Sequence, residues 1–483
     1  MPEPSPRRRI LRGALTVLLT AGCGVPRVPD ASPAPIPPLT VVGDAVPARA
    51  VDTVAAPPVE WRRFFADTTL LALIDTAVRQ NLERSLAQQE VELTRNEALA
   101  TQGRLLPRLS LGASVGLEKS GRYTSEGAGN ASTDITPGRR VPEPLPDLSV
   151  GVVSGWELDI RGKLRNQRTA ARARYLASIE GTRFVTTALV AEVANAYYEL
   201  SALDAKLAII QRAIEVQRTE LELVRAQRAA AVASELAVKR FEALLADARS
   251  LEFEVRQQIR ETENRLNLLL GRPPQAIARA GTFPPDAAAA VAAGVSSQLL
   301  RQRPDIRQAE LELQATHFDV RAARAEFLPE VNLAAGLGVR AFQSGLLFST
   351  PESMAYAMGV DLMTPLLNRR VIAAEFGQAT ARQQMALLAY RQRVLGGVAE
   401  VSTLLSAIDN LRQVTDFKAQ RAAALEQSVE VARTLFASAR ADYLEVLTAQ
   451  REAIDADLEL VEARLRQRIA TTDLYRALGG GWQ

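Results

Sequence analysis

Residues 210 positions apart in this chain match one another through a long helical stretch. Glu235 pairs with Glu445, Glu242 with Glu452, Ala243 with Ala453, Asp247 with Asp457, Glu252 with Glu462, Arg256 with Arg466, Gln257 with Gln467 and Ile259 with Ile469. Gly271 matches Gly481 at the end of the stretch, and upstream Gly151-Val152 answers Gly359-Val360 and Leu106-Pro107 answers Leu328-Pro329, with indels absorbing the drift. The chain is two copies of one unit, so whatever one half folds into, the other half folds into as well.

Each copy carries two segments of strict alternation. Leu109, Leu111, Ala113, Val115 and Leu117 interleave with Ser110, Gly112, Ser114, Gly116 and Glu118, and Leu148, Val150, Val152, Trp156 and Leu158 alternate with Ser149, Gly151, Gly155, Glu157 and Asp159. In the second copy Val331, Leu333, Ala335, Leu337 and Val339 alternate with Asn332, Ala334, Gly336, Gly338 and Arg340, and Tyr356, Met358, Val360 and Leu362 follow. These spacings predict strands at 107–118, 147–160, 329–342 and 354–366. A face of Gly, Ser and charge packs no core but suits an aqueous lumen, while the apolar face can meet lipid. Four strands cannot close a barrel, and an open edge in hydrocarbon leaves backbone groups unpaired. Three chains would supply twelve strands, enough for a wide barrel with a wet interior.

The rest of the chain is built for helices. Ala, Leu, Arg, Gln and Glu dominate, and residues 206–270 and 411–477 run almost free of Gly and Pro. Lengths of this order imply coiled-coil packing. A descending helix, Arg165 to Tyr198 and Val371 to Leu405, precedes each of these stretches, which places turns near 199–205 and 406–412. A first helical stretch begins after Trp61 and runs to about Gly103, before Pro107 stops it.

A pI near 9.1 invites a nucleic-acid reading, but the excess charge sits at Arg7, Arg8, Arg9 and Arg12. Without residues 1–22 the chain has 54 basic residues against 54 acidic ones, which removes the main support for a nucleic-acid partner. That opening has a basic segment and a short apolar run, Ala14 to Leu19, as a secretory signal does. Leu19-Thr20-Ala21-Gly22-Cys23 then resembles the lipobox of bacterial lipoproteins, with Thr20 where Leu is commoner. The resemblance implies that Cys23, the sole cysteine, becomes a mature N-terminus carrying a diacylglycerol and an N-acyl chain. Gly24, with no Asp after the cysteine, resembles the sorting pattern for the outer membrane. Residues 24–58, punctuated by Pro26, Pro29, Pro33, Pro35, Pro37 and Pro38, read as an extended tether.

With lipobox, tandem copies and strand-helix order together, the sequence resembles the TolC-like outer membrane factor family, in its NodT/OprM-like lipoprotein branch. The carrying segments are W-R-R-F-F-A-D-T-T-L-L-A-L-I-D-T-A-V-R-Q-N from Trp61 to Asn81, S-G-W-E-L-D-I-R-G-K-L-R from Ser154 to Arg165, L-R-Q-R-P-D-I from Leu300 to Ile306, T-P-L-L-N-R-R from Thr364 to Arg370, and Y-L-E-V-L-T-A-Q-R from Tyr443 to Arg451. The family often has Gly before the ascending helix of each copy, where this chain has Ala231 and Ala439. The fold implied is mainly α with a transmembrane β-barrel: four strands and long coiled-coil helices per chain, closing as a homotrimer into a 12-strand β-barrel and a 12-helix α-barrel. The domains would then be a signal peptide (1–22), a lipidated Pro-rich tether (23–60), a first repeat (61–271), a linker (272–295) and a second repeat (296–483). The resemblance implies an outer-membrane exit duct of a tripartite efflux pump. Its partners would be a periplasmic adaptor, or membrane fusion protein, an inner-membrane transporter of the RND type, and outer-membrane lipid. The outer component of type I protein secretion is the alternative within the family; a lipid-anchored periplasmic coiled-coil scaffold is the alternative outside it.

Catalytic chemistry finds little support. The chain has one His and one Cys in unrelated contexts, and no G-x-x-x-x-G-K-[ST] phosphate loop, so no enzyme activity and no cofactor beyond the acyl groups on Cys23 is expected. His317 reads as a helix polar residue and Trp156 as an interface anchor of the barrel. Ser201-Ala202-Leu203-Asp204 echoes Ser406-Ala407-Ile408-Asp409 at the two expected periplasmic turns. Asp204 and Asp409, with Arg412 beside them, are therefore candidates for a charged ring at a narrow aperture, set against ordinary solvated turn positions.

Overall fold

A computed structural model describes residues 26–28, 60–279, 302–364, 369–438 and 440–480. Cys23, Ala439, Gly481 and nearly all of the Pro-rich tether lie outside them. The described chain opens with three helices, α1 (Trp61–Phe64), α2 (Thr68–Gln80) and α3 (Leu82–Gly103). Strand β1 (Arg108–Glu118), helix α4 (Ser125–Ser132) and the short strands β2 (Asp134–Thr136) and β3 (Arg139–Arg140) follow. Strand β4 (Leu145–Glu157) leads into the helical pair α5 (Lys163–Ala229) and α6 (Glu235–Leu269). The second copy runs α7 (Pro304–Ala325), β5 (Glu330–Ala341), β6 (Met354–Met363), α8 (Arg369–Ala437) and α9 (Tyr443–Ala477). Two compact units result: one contains Leu93–Tyr175 and Leu311–Leu388, the other the remaining helical segments, and each draws on both halves of the sequence.

The first unit is organised by one antiparallel sheet in the order β1-β4-β5-β6. Its register sets Leu111 opposite Val152, Val152 opposite Leu337 and Leu337 opposite Tyr356. Because facing residues share a side of the sheet, most apolar positions of the four strands fall on one face and most Ser, Gly and charged positions on the other, with Val153 and Ser154 of β4 exchanged. Gly151 and Gly338 face each other across β4 and β5, and a Cβ on Gly338 would lie 2.6 Å from the Gly151 Cα, so the strands meet there only through two glycines. The strands match the alternation except at their ends: β4 stops at Glu157 and β6 at Met363.

In the second unit the apolar side chains of α1 and α2 pack against α5, α6 and α9. Trp61, Leu70, Ile74, Val193, Tyr197, Leu200, Leu266 and Leu270 are buried together, and Phe64 stacks on Tyr475 with ring centroids 4.1 Å apart. Asp67 caps α2 by accepting from the Thr69 and Leu70 amides, and its other oxygen accepts from the Tyr197 hydroxyl at 2.6 Å. The first helical stretch is thus three helices, not one: Asp67 starts α2, and Asn81, extended at φ −62° and ψ 130°, ends it and accepts from the Arg84 amide to start α3.

The expected turns at 199–205 and 406–412 do not exist. Residues 199–205 (E-L-S-A-L-D-A) are good helix formers, and Leu200, Ala202 and Leu203 are buried, so α5 runs through them for 67 residues. By the same logic α8 runs through 406–412 for 69 residues. The chain reverses instead at 230–234 and 438–442. Ser234 caps α6 through the Ala237 amide, and Ala231 takes the left-handed conformation at φ 59°, where the family often has Gly. The structural equivalence of the two copies is also 208 rather than 210. Helices α6 and α9 are both 35 residues long and start 208 apart, and the buried pairs Val238 and Val446 and Leu266 and Leu474 keep that spacing, as do Gly271 (φ 65°) and Gly479 (φ 84°). Apart from Gln257 and Ile259, the helical matches at 210 fall on Glu, Arg, Asp and Ala, which recur by composition; burial and caps obey 208.

Candidate conduction path

The polar face of the sheet carries Glu118, Asp147, Glu157, Glu330 and Asp361 against Arg108 and Arg340. Arg340 grips Asp147 across β4 and β5 through two bonds of 2.7 and 2.8 Å, and Ser114 meets Ser149 at 2.7 Å across β1 and β4. The opposite face presents Leu109, Leu111, Val115, Leu117, Tyr356, Met358, Val360 and Leu362, all strongly exposed. An apolar surface of this extent on a sheet with two free edges is not a water-facing arrangement. Trp156 lies on this face and donates from Nε1 to the Leu105 carbonyl at 3.0 Å, in keeping with an anchor. Beyond β1, Thr124 caps α4 and Arg122 reaches Glu143 at 3.0 Å.

At the turns of the helical hairpins the chemistry is ionic. Glu242 of α6 accepts from Arg225 of α5 at 2.8 Å and from Lys239 at 2.9 Å, and these bonds hold its carboxyl below the ordinary range. Arg228 and Glu235 pair at 2.6 Å across the first turn. The two hairpins are tied by a residue that sequence reading passed over. Glu220 of α5, its side chain 18% exposed, accepts from Arg433 of α8 at 3.0 Å and from Gln450 of α9 at 2.5 and 2.6 Å. Glu220 has no signal of its own in a chain so rich in Glu; only the packing of three helices singles it out.

The three aperture candidates sit elsewhere. Asp204 lies in mid-α5, far from the turn, and bonds to Arg279 through Nε and, at 2.9 Å, through Nη2. Arg279 also donates to Glu263 at 2.8 Å and to the Ile277 carbonyl at 2.9 Å. The bond to Asp204, opposed by burial and helped by Glu263, keeps the guanidinium above its ordinary value. Asp204 therefore straps residues 271–279 onto the hairpin. Asp409 lies in mid-α8 and pairs with Arg412 one turn on at 3.8 Å, both largely exposed. Neither carboxylate is at a helix tip, because the turns that would have placed them there are helix. His317 joins Gln383 at 3.2 Å between α7 and α8.

The motif at Arg303-Pro304-Asp305 gains a physical role. Buried Arg303 makes a bidentate pair with Asp305 at 3.0 Å, donates to Glu400 of α8 at 2.8 Å, and caps the end of α9 at the Ala477 carbonyl at 2.9 Å. Burial opposes its charge, but Asp305 and Glu400 outweigh it and hold the guanidinium above its ordinary value.

Comparison with known proteins agrees with this geometry. OprJ, an outer membrane protein of Pseudomonas aeruginosa, is 30% identical over 439 residues, covering 90% of this chain and 87% of OprJ. SilC of Salmonella typhimurium, a probable outer membrane lipoprotein, is 27% identical over 474 residues, covering 97% of both chains. The crystal structure of a membrane protein from Pseudomonas aeruginosa superposes with a TM-score of 0.81 at 27% identity, covering 91% of this chain and 100% of the other. Residues 73–272 and 295–480 match the outer membrane efflux protein family. The chain belongs to that family, and it is an outer-membrane exit duct for efflux, with the outer membrane factor fold.

Proposed function

We propose that three copies of the chain close into one duct, a 12-strand barrel in the outer membrane continued by a 12-helix barrel on the periplasmic side. The observation that supports this reading most is the open sheet β1-β4-β5-β6, with one apolar face and edges at β1 and β6. Each unpaired backbone group in hydrocarbon costs several kcal/mol, so the edges of one copy must be covered, and antiparallel order lets β6 of one copy take β1 of the next. Mass measurement in detergent tests this: a complex of three chains is expected, and a monomer with a closed barrel would refute it.

The duct works with a periplasmic adaptor of the membrane fusion type and an inner-membrane transporter of the RND type, which supply the energy that a passive conduit lacks. Small toxic compounds are the cargo. Co-purification of adaptor and transporter with the tagged full-length chain is the test; recovery of a protein-secretion transporter instead would favour the secretion reading. Cys23 carries the diacylglycerol and N-acyl chain, supported by its place in Leu19-Thr20-Ala21-Gly22-Cys23. Cys23→Ser is expected to abolish palmitate labelling while trimers persist with a cleavable signal supplied.

The mouth of the duct is at the turns 230–234 and 438–442, and the bonds of Glu220 to Arg433 and Gln450 hold the two hairpins of each chain together there. Glu220→Ala is expected to raise single-channel conductance in planar bilayers. Unchanged conductance would leave Glu220 as a packing residue.

A further inference from the structure

The strands of the two copies correspond residue for residue. Leu111 of β1 faces Val152 of β4, and Leu333 of β5 faces Val360 of β6, so the spacing is 222 from β1 to β5 and 208 from β4 to β6. Thr94 and Thr316 keep 222 in α3 and α7, and the buried Ala171 and Ala379 keep 208 in α5 and α8. The longer connection from β1 to β4 absorbs the difference.

The first copy meets the second along a seam in the middle of the sheet. There β4 and β5 approach through Gly151 and Gly338, and in the helices Arg174 of α5 donates to both carboxylate oxygens of Asp319 of α7. Carried forward by the two spacings, the same seam falls on the outer elements, at Gly359 of β6, Gly116 of β1, Arg382 of α8 and Glu97 of α3. Every position keeps its chemistry: two glycines, a guanidinium and a carboxylate. Within one chain none of the four has a use for it. A Cβ on Gly359 would meet nothing within 4 Å, and one on Gly116 only an ordinary contact at 3.7 Å. Glu97 and Arg382 are exposed and make no ion pair among the described residues. The apolar positions agree, since Ala177 of α5 and Ala315 of α7 are fully buried, whereas their equivalents, Met385 of α8 and Leu93 of α3, are 69% and 54% exposed.

We propose that a second copy of this chain covers the outer elements with the same seam that joins the two halves of one chain. Gly359 of β6 faces Gly116 of β1 in the next copy, Val360 faces Val115, and Arg382 of α8 pairs with Glu97 of α3. This pairing presupposes the closure of three chains and fixes the register that closure alone leaves open. A slip of two residues keeps the apolar face outward but sets Gly116 opposite Ala357 or Asp361. The approach seen at Gly151 and Gly338, where a Cβ would lie 2.6 Å from the opposing Cα, has no room for either side chain.

The test is disulfide cross-linking of the full-length protein in detergent. Facing residues of antiparallel strands have Cα atoms about 4.5–5.5 Å apart, within disulfide range, and a slip of four residues moves them about 13 Å away. Val360→Cys combined with Val115→Cys should give covalent trimers under mild oxidation, whereas Val360→Cys alone, or combined with Leu111→Cys, should give none. Linking through Leu111 in place of Val115 overturns the register. No link in either pair, in a protein whose mass is that of three chains, overturns it as well while leaving closure standing; a mass of one chain removes both. For the ion pair, Glu97→Arg and Arg382→Glu each set like charges across all three seams and should dissociate the trimer at a lower temperature than wild type, and the double reversal should restore it. Wild-type dissociation in both single variants, or no recovery in the double, overturns the pairing of Arg382 with Glu97.

Discussion

Replacing Asp204 by Asn should loosen a strap rather than change a pore. The Arg279 guanidinium spreads over four acceptor contacts: two to Asp204, one to Glu263 and one to the Ile277 carbonyl. Charge-assisted bonds of this kind contribute about 1.5–3 kcal/mol where water is excluded. The Asp204 side chain is 37% exposed, so screening reduces the loss in Asp204→Asn to about 1 kcal/mol. Glu263 and Ile277 still hold Arg279, and the opening should stay local, with amides of residues 271–279 exchanging about fivefold faster. The Ile277 amide, which donates to Glu263 at 3.4 Å, is the most informative probe. Asp409→Asn removes only an exposed contact at 3.8 Å and should cost less than about 0.5 kcal/mol. Hydrogen exchange by mass spectrometry and single-channel recording on the same preparations provide the comparison. The reasoning fails if Asp204→Asn leaves exchange at 271–279 untouched while altering conductance or ion preference, because Asp204 would then line an aperture after all.

Three other substitutions probe the fold. Ala231→Gly relieves a left-handed alanine at φ 59° and should stabilise the first hairpin by about 0.5–1 kcal/mol, seen as slower exchange around residues 228–236. Arg303→Ala leaves Asp305, 7% exposed, as an unpaired buried carboxylate and uncaps α9, so a loss of about 3–5 kcal/mol and poor yield of folded protein are expected; yield and melting like wild type would contradict this. A lysine at Val152, on the apolar face near the middle of β4, should cost about 2–4 kcal/mol in membrane assembly, whereas Ser114→Lys on the opposite face should assemble normally; equal assembly of the two would reverse the assignment of faces.

Much of this architecture was legible in the residues because strand alternation is a local code. Leu109 to Leu117 and Val331 to Val339 fix their own faces with period 2, and nothing distant has to be known for the faces to be read. The conclusion that one chain cannot close its barrel followed from counting four such segments. Helix content was equally local, since Ala, Leu, Glu and Arg favour helix whatever they touch.

Helix ends were different. Residues 199–205 and 228–234 are both short runs rich in Ala and free of Gly and Pro, and propensity does not tell which of them turns. The packing does: Leu200 and Leu203 are buried and keep α5 going, whereas Ala231 and Ser234 sit where the chain reverses and the cap bond to Ala237 forms. The same holds for the polar sites. Asp204 and Asp409 carry the same chemistry and the same local echo, yet one straps a segment through Arg279 and the other rests on the surface beside Arg412. Glu220 and Arg303 owe their roles to partners between roughly one hundred and over two hundred residues away. Sequence alone determined faces and element types, because these depend on period and composition. Only the tertiary structure decided where helices stop and which charges meet, because a charge takes its role from whichever distant residues the packed helices bring beside it.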